Sequence, residues 1–94
     1  MSKIIAIDYD LTFLADPELF KTFITISRAR NWVVIGCTMR YPNEITPNFR
    51  KFMEIVDKVH FTSRKAKKAF LENLNIFPDI WIDDRPDWIF TDSM

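Results

Sequence analysis

The stretch that decides the fold is Ile4-Ile5-Ala6-Ile7-Asp8-Tyr9-Asp10-Leu11-Thr12. An apolar run is followed at once by two aspartates spaced i, i+2 and then by a threonine. An uninterrupted apolar run of this kind is typical of a strand that is buried on both faces of a parallel sheet. Ligands of open α/β sheets bind beyond the carboxyl ends of the strands. The stretch therefore predicts two carboxylates at the mouth of a site, where they are costly unless they hold a cation or take part in chemistry.

Strand and helix patterns alternate along the rest of the chain. Asp16-Pro17 has the form of a helix start, with Asp16 as N-cap and Pro17 at the first helical position, and this helix runs to about Arg30. Further helices are predicted to begin at Thr46-Pro47 and at Thr62 or Ser63, with a helical turn over 87–90. The predicted strands cover residues 3–7, 32–37, 58–61 and 79–82. This alternation indicates a parallel sheet with right-handed crossovers.

Length and composition indicate one globular domain. The 94 residues are 48% hydrophobic, which is enough for a single compact core, and we expect one domain over 1–94. Thirteen basic and thirteen acidic residues balance, so the overall charge does not indicate a nucleic-acid partner. The single cysteine, Cys37, excludes an intramolecular disulfide. Neither a secretory signal nor an apolar run near the ~20 residues that cross a bilayer is recognisable, so we expect a cytoplasmic protein.

A second acidic strand end lies near the C-terminus, where Ile80-Trp81-Ile82 is followed by Asp83-Asp84 and then by Asp87. Between the two acidic ends, an apolar strand ends at Thr38 and a basic cluster covers 64–68. The order along the chain is thus Asp-x-Asp-x-Thr, Thr, Lys, Asp-Asp. This order resembles the haloacid dehalogenase (HAD) superfamily, whose phosphatases and phosphotransferases carry four motifs in the same sequence. The resemblance covers roughly residues 3–87.

The resemblance implies a three-layer α/β/α, Rossmann-like fold with the first and last strands central and adjacent. Asp8, Asp10, Thr38 and Asp83 would then meet at one edge of the sheet. Many members insert a cap domain after the first motif or after the second strand. Here the gap between Thr12 and the helix start is four residues or fewer, and the loop after Thr38 is also short. We therefore expect a domain without a cap and with an open site.

The family's motif order also implies a role for each acid of the first motif. Asp8 would be the nucleophile that forms an aspartyl-phosphate and would also bind Mg²⁺. Asp10 would be the general acid toward the leaving oxygen and then the general base toward water, with its backbone carbonyl reaching the metal. A carboxyl that carries a proton near neutral pH needs a raised pKa, which burial and nearby acids favour. The hydroxyl of Thr12 would tie down the loop after the first strand.

The second and third motifs would bind the phosphate. The hydroxyl of Thr38 could bond phosphate oxygens, and Arg40, in a Thr-x-Arg form that many members share, could either bind phosphate or be solvated. The basic residue that balances the charge of the phosphoryl group is predicted to be Lys65, in the first helical turn after the third strand. Arg64 and Lys67 are alternatives for this role.

The fourth motif would complete the metal site. We expect Asp83 to bind Mg²⁺ directly, and Asp84 and Asp87 to hold its waters or the lysine. Asp87 is equally suited to the start of the terminal helical turn. His60 and Cys37 lie in predicted strands and are interpreted as structural. Trp88 is interpreted mainly as a core residue, with a position at the edge of the pocket as the alternative.

The sequence therefore favours a Mg²⁺-dependent phosphatase whose substrate is a nucleotide or another phosphorylated small molecule, or a phosphate on a macromolecular end. Because an open site encloses a small substrate poorly, a neighbouring copy of the chain could close it in a homo-oligomer. A metal-binding or regulatory module that keeps the fold without turnover is the alternative. A response-regulator receiver domain is a third hypothesis. It is disfavoured because such domains carry their lysine last, whereas here the lysine precedes the final pair of acids.

Overall fold

The computed structural model describes residues 2–93 of the chain. Its four strands are β1 (Ile4–Ile7), β2 (Val33–Thr38), β3 (Lys58–Phe61) and β4 (Ile80–Ile82), and they form one parallel sheet in the order β3-β2-β1-β4. The helices are α1 (Pro17–Ala29), α2 (Pro47–Ile55), α3 (Lys67–Glu72) and α4 (Asp87–Phe90), with a 3₁₀ turn at Phe13–Ala15. The predicted α/β alternation and parallel sheet are confirmed.

Alternate residues of β1 pack against helices on opposite faces of the sheet. Ile5 belongs to a buried cluster with Ile24 of α1 and Phe49 of α2. Its neighbour Ala6 belongs to a second buried cluster, which includes Leu71 of α3. Because successive side chains of a strand point to opposite faces, both faces of the sheet are covered, as the apolar run of β1 predicts.

Side-chain caps fix the starts of the two longer helices. Asp16 accepts a hydrogen bond from the backbone N–H of Leu19 at the start of α1, and Thr46 accepts one from Phe49 at the start of α2. A proline occupies the first helical position in each case, so both predicted helix starts are confirmed. Within residues 2–93 no helix has the length and hydropathy that a membrane-spanning segment requires.

The third helix begins later than predicted. Ser63 and Arg64 have φ values of 53° and 72°, a left-handed backbone that cannot belong to a right-handed helix. The hydroxyl of Thr62 donates to the carbonyl of Lys65 at 2.8 Å, which closes this turn instead of capping a helix. Helix α3 therefore starts at Lys67, several residues beyond the predicted cap at Thr62 or Ser63.

Strand β4 lies beside β1, as expected, but at the edge of the sheet and not in its centre. A central position would require another strand on its outer side, and within the described residues 84–93 form α4 and its flanking turns instead. The strand is only three residues long, and Ile80 is 42% exposed. The expectation of a central last strand is thus wrong for this sheet.

The strand register brings the predicted site residues to one end of the sheet. Ile7, the last residue of β1, pairs with Gly36 of β2 on one side and with Ile82 of β4 on the other. The backbone N–H of Asp8 continues the ladder by donating to the carbonyl of Ile82 at 2.9 Å. Asp8 and Asp83 therefore leave the sheet side by side.

Gly36 in β2 leaves room for a core aromatic ring. A Cβ atom at this position would lie 2.7 Å from the ring of Phe52, which is fully buried and packs against Tyr9 and Phe13. Because the ring cannot move aside freely, we predict that Gly36→Ala lowers the free energy of unfolding by about 1–3 kcal/mol in urea denaturation.

The variant Phe52→Leu tests whether this clash is the cause. A smaller side chain at position 52 makes room for the added methyl group, so Gly36→Ala with Phe52→Leu should lose less stability than the sum of the two single variants. Strictly additive losses would show that the contact between positions 36 and 52 is not responsible.

Candidate active site

Three of the predicted acids converge beyond the carboxyl ends of β1 and β4. Carboxylate oxygens of Asp8, Asp83 and Asp84, here called the acidic cluster, lie within 4.8 Å of one another. Asp8 is 7% exposed, and the side chain of Asp83 is 2% exposed. The convergence follows from the fold, because neighbouring parallel strands end at the same edge of the sheet. Carboxylate oxygens grouped in this way are the ligands that Mg²⁺ prefers in proteins.

The ammonium group of Lys67 joins two members of the acidic cluster. Its Nζ lies 2.9 Å from Oδ1 of Asp8 and 2.5 Å from Oδ2 of Asp83, and the side chain is 1% exposed. A buried ammonium is strongly disfavoured unless carboxylates or other acceptors compensate its charge, and here two do so. In the part of the chain that the structure describes, every buried side-chain nitrogen and oxygen has a hydrogen-bond partner.

Lys65, the predicted basic residue of the site, lies outside it. Its side chain is 66% exposed, and its Nζ is 3.8 Å from a carboxylate oxygen of Asp92. The left-handed turn before α3 delays the helix start, so that Lys67 and not Lys65 occupies the first helical turn. The assignment is therefore corrected to Lys67, one of the two alternatives. The other alternative, Arg64, faces the same cavity as Asp8 but pairs with Glu44.

The acidic cluster contains a carboxyl group that titrates near neutral pH. Burial raises the pKa of Asp8 from 3.8 to about 7, against the lowering effect of the Lys67 charge, while Asp83 raises it further. Burial also acts to lower the pKa of Lys67, but the carboxylates of Asp8 and Asp83 outweigh it and raise that pKa. The lysine is therefore charged, and the predicted nucleophile is the group whose protonation changes near pH 7.

Thr12 connects the loop after β1 to the end of β4. Its hydroxyl oxygen lies 3.0 Å from Oδ2 of Asp8 and 3.1 Å from Oδ1 of Asp84, so it can donate to either carboxylate. The same oxygen accepts a hydrogen bond from the backbone N–H of Asp84 at 3.1 Å. The predicted role of Thr12 as an anchor of this loop is confirmed.

Arg40 holds the second acid of the first motif. Its Nε and Nη2 donate to the two carboxylate oxygens of Asp10 at 3.0 and 2.8 Å. The guanidinium also donates to the carbonyl of Glu44 and lies 5.2 and 5.1 Å from the ring centroids of Tyr9 and Phe49. Arg40 is thus fixed at the site, and its interpretation as a solvated side chain is wrong. Asp10 lines the cavity, but its carboxylate is outside the acidic cluster.

Two further predicted residues lie at the margin of the site. Thr38 is 1% exposed at the end of β2, and its hydroxyl accepts a hydrogen bond from the backbone N–H of Arg40 at 3.2 Å. Asp87 begins α4 and pairs with Arg85 at 2.9 Å, so it belongs to the terminal helical turn and not to the acidic cluster. Thr38 is likewise absent from the lining of the cavity, so the expected contact with phosphate oxygens is not preformed.

Cys37 and His60 are buried in β2 and β3, where the sequence predicted structural roles. Burial raises the pKa of Cys37 to about 12, so its thiol stays protonated and is a poor nucleophile. Burial lowers the pKa of His60, because it disfavours the charged imidazolium form. Neither residue lines the cavity above the acidic cluster.

A cavity of about 320 Å³ is lined by Lys67 and by two members of the acidic cluster, Asp8 and Asp84. Besides the residues already described, its wall includes four residues that sequence reasoning did not assign to the site: Leu11, Met39, Arg85 and Ser93. The only sequence signal for Arg85 is its position directly after the second acidic strand end. Trp88 also lines the cavity, which supports its alternative interpretation as a pocket residue.

Replacing Lys67 should destabilise the protein far more than replacing Lys65. Lys67→Met leaves Asp8 and Asp83 buried without their cation, so we predict a loss of about 3 kcal/mol or more in the free energy of unfolding. The matched control Lys65→Met removes a largely exposed ammonium, and its effect should stay within about 0.5 kcal/mol. The comparison is made by urea denaturation at pH 8 without divalent metal. Similar losses in the two variants would contradict the assignment of Lys67.

The raised pKa of Asp8 predicts that its contribution to stability is lost as the pH rises. Its pKa is 3.8 in the unfolded reference and about 7 in the fold, so between these values the folded protein binds more protons than the unfolded chain. Without divalent metal, the free energy of unfolding relative to that of Asp8→Asn should therefore decrease from about pH 4 to about pH 7. Denaturation curves of both proteins across this range measure the difference. A constant or increasing difference would contradict the raised pKa.

Comparisons with models of known protein families, with curated proteins and with solved structures each found no match to this chain. The resemblance to the HAD superfamily therefore stays a prediction, resting on the order of this chain's own motifs.

Proposed function

We propose that this protein is a Mg²⁺-dependent phosphatase that hydrolyses phosphate monoesters through an aspartyl-phosphate on Asp8. The observation that carries the proposal is the contact of Lys67 with both Asp8 and Asp83 beneath a cavity. An acidic cluster alone is common in proteins without catalytic function. A buried lysine between two carboxylates adds a positive charge where a phosphoryl group would need one, next to a group able to attack it.

The negative charge of the acidic cluster favours the binding of a divalent cation. Asp8, Asp83 and Asp84 together carry more negative charge, when ionised, than the single ammonium of Lys67 compensates. Their oxygen ligands suit Mg²⁺, which these three carboxylates would hold. When bound, the ion would offset the repulsion between an anionic nucleophile and an anionic phosphate. We also propose that the backbone carbonyl of Asp10 is a ligand of this ion.

The reaction follows from the groups of the chain itself. A carboxylate oxygen of Asp8 attacks phosphorus, and the bond between phosphorus and the ester oxygen breaks as that oxygen receives a proton from Asp10. Asp10 then takes a proton from water, which attacks the phosphorus of the aspartyl-phosphate, releases inorganic phosphate and restores Asp8. Lys67 remains charged throughout and neutralises the transferred group.

Arg40 controls when Asp10 can take part. Its bidentate pair engages both carboxylate oxygens of Asp10, so neither oxygen is free to exchange a proton with the substrate or with water until the pair loosens. A phosphate dianion is a strong competitor for the same guanidinium. Substrate binding would thus turn Arg40 toward the phosphate and free Asp10.

The same pair favours a second candidate function, a metal-binding or regulatory module without turnover. If Arg40 stays paired with Asp10, no group protonates the leaving oxygen of the ester. The acidic cluster can still bind Mg²⁺ in that case. The two candidates differ in hydrolysis and not in metal binding.

Hydrolysis of an aryl phosphate tests the proposal. The protein should release phosphate only with Mg²⁺, and Asp8→Asn should lower turnover by roughly 10⁴-fold or more because the nucleophile is removed. Asp16→Asn is the matched control, since Asp16 is exposed at the start of α1 and asparagine is an equally good N-cap. Its activity should equal that of the unmodified chain.

The alternatives give different results in the same experiment. Mg²⁺-dependent hydrolysis retained by Asp8→Asn would contradict the role of Asp8. Mg²⁺ binding in calorimetry, without hydrolysis of any substrate in a broad panel, would favour the module without turnover.

A further inference from the structure

Leu11 lines the cavity and combines high exposure with a left-handed backbone conformation. Its side chain is 74% exposed, and it belongs to neither buried cluster of the core. Its φ of 60° is left-handed, a conformation in which glycine, asparagine or aspartate is far better tolerated. An exposed turn with this backbone would ordinarily carry one of those residues. Leucine at this exposed position is therefore available for contact with a molecule in the cavity.

Two further apolar groups line the same cavity, Trp88 of α4 and Met39 directly after β2. The indole ring of Trp88 lies 4.0 Å from the guanidinium carbon of Arg85, which is itself paired with Asp87. Arg85 therefore packs on the Trp88 ring, and both residues contribute to the cavity wall. The wall of the cavity above the acidic cluster is therefore partly apolar and partly aromatic.

A phosphate group by itself needs only cations and hydrogen-bond donors. Apolar side chains beside such a site contribute to binding only if the substrate brings apolar surface together with its phosphate. A planar ring suits this wall, because the faces of nucleobases and other rings stack on aromatic side chains. The cavity volume of about 320 Å³ is near the lower end of the ~300–1,000 Å³ that small-molecule sites have, which suits one compact substrate.

We infer that the leaving group of the substrate carries a planar ring, as in a nucleoside monophosphate, and that Leu11 and Trp88 contact this ring. The inference rests on the proposed phosphatase function and narrows its substrate class. A nucleoside phosphate can be a free nucleotide or the end of an oligonucleotide. The balance of 13 basic and 13 acidic residues provides no excess positive charge for an extended polyanion, so the free nucleotide is the first substrate to test.

The test compares two primary phosphate esters that differ in the ring. With Mg²⁺, we expect kcat/KM for thymidine 5′-monophosphate to exceed that for glycerol 1-phosphate by about tenfold or more. This ratio should fall by about fivefold or more in Leu11→Asn and in Trp88→Leu, which remove the apolar contact and the ring. Asparagine at position 11 tolerates the left-handed backbone, so the loop is preserved.

A matched variant shows whether the effect belongs to the cavity. Leu74→Asn makes the same replacement at a half-exposed leucine just after α3, outside the cavity lining, and its ratio should equal that of the unmodified chain. A 5′-phosphorylated oligonucleotide is measured in parallel. A preference for the oligonucleotide over the free nucleotide would support the ring contact. It would also show that the substrate is a nucleotide at the end of a polymer.

The failure of this inference is distinguishable from the failure of the proposed function. Equal hydrolysis of both esters, with no change of the ratio in Leu11→Asn or Trp88→Leu, would overturn the ring contact and leave the phosphatase intact. If neither ester is hydrolysed and the aryl phosphate is not hydrolysed either, the proposed function fails. Calorimetric binding of thymidine 5′-monophosphate with Mg²⁺ then tests the ring contact independently of turnover. Weaker binding by Leu11→Asn than by Leu74→Asn would support it, whereas no binding or equal binding would overturn it.

Discussion

The rest of the site depends on the contact of the Lys67 ammonium with the carboxylates of Asp8 and Asp83. A charge buried this deeply is tolerated only with opposite charges in direct contact. The contact joins α3 to the ends of β1 and β4, so one interaction fixes three elements around the cavity. It is weak as a source of stability, because taking three charges out of water costs much of what their attraction returns.

Much of the fold could be predicted because it depends on local patterns. The apolar run of β1, the Asp16-Pro17 and Thr46-Pro47 helix starts and the alternation of strands and helices all act over a few residues. The convergence of Asp8, Asp83 and Asp84 also follows, since parallel strands end at one edge of a sheet. The edge position of β4 did not follow, because strand order depends on which segments pair and not on the sequence of any one strand.

The features of the site that sequence reasoning missed depend on backbone conformation and on distant partners. Nothing in the basic run 64–68 marks which side chain turns inward; the left-handed turn at Ser63 and Arg64 decides it by delaying α3. The pair of Arg40 with Asp10 is similar, because it joins loops after two different strands. Leucine at a left-handed position is visible only once φ is known.

The pairing of β1 with β4 has a consequence for how the protein folds. Ile5 and Ile80 pair although they come from almost opposite ends of the chain. Loop closure over such a distance is entropically costly, and sheets built from distant parallel pairings form slowly. During synthesis, Asp8 emerges long before Lys67 and Asp83, so its carboxylate stays exposed to solvent until α3 and β4 have been made. The acidic cluster and its contact with Lys67 are thereby tied to the completion of the fold, and a truncated or partly folded chain would lack this buried group of charges.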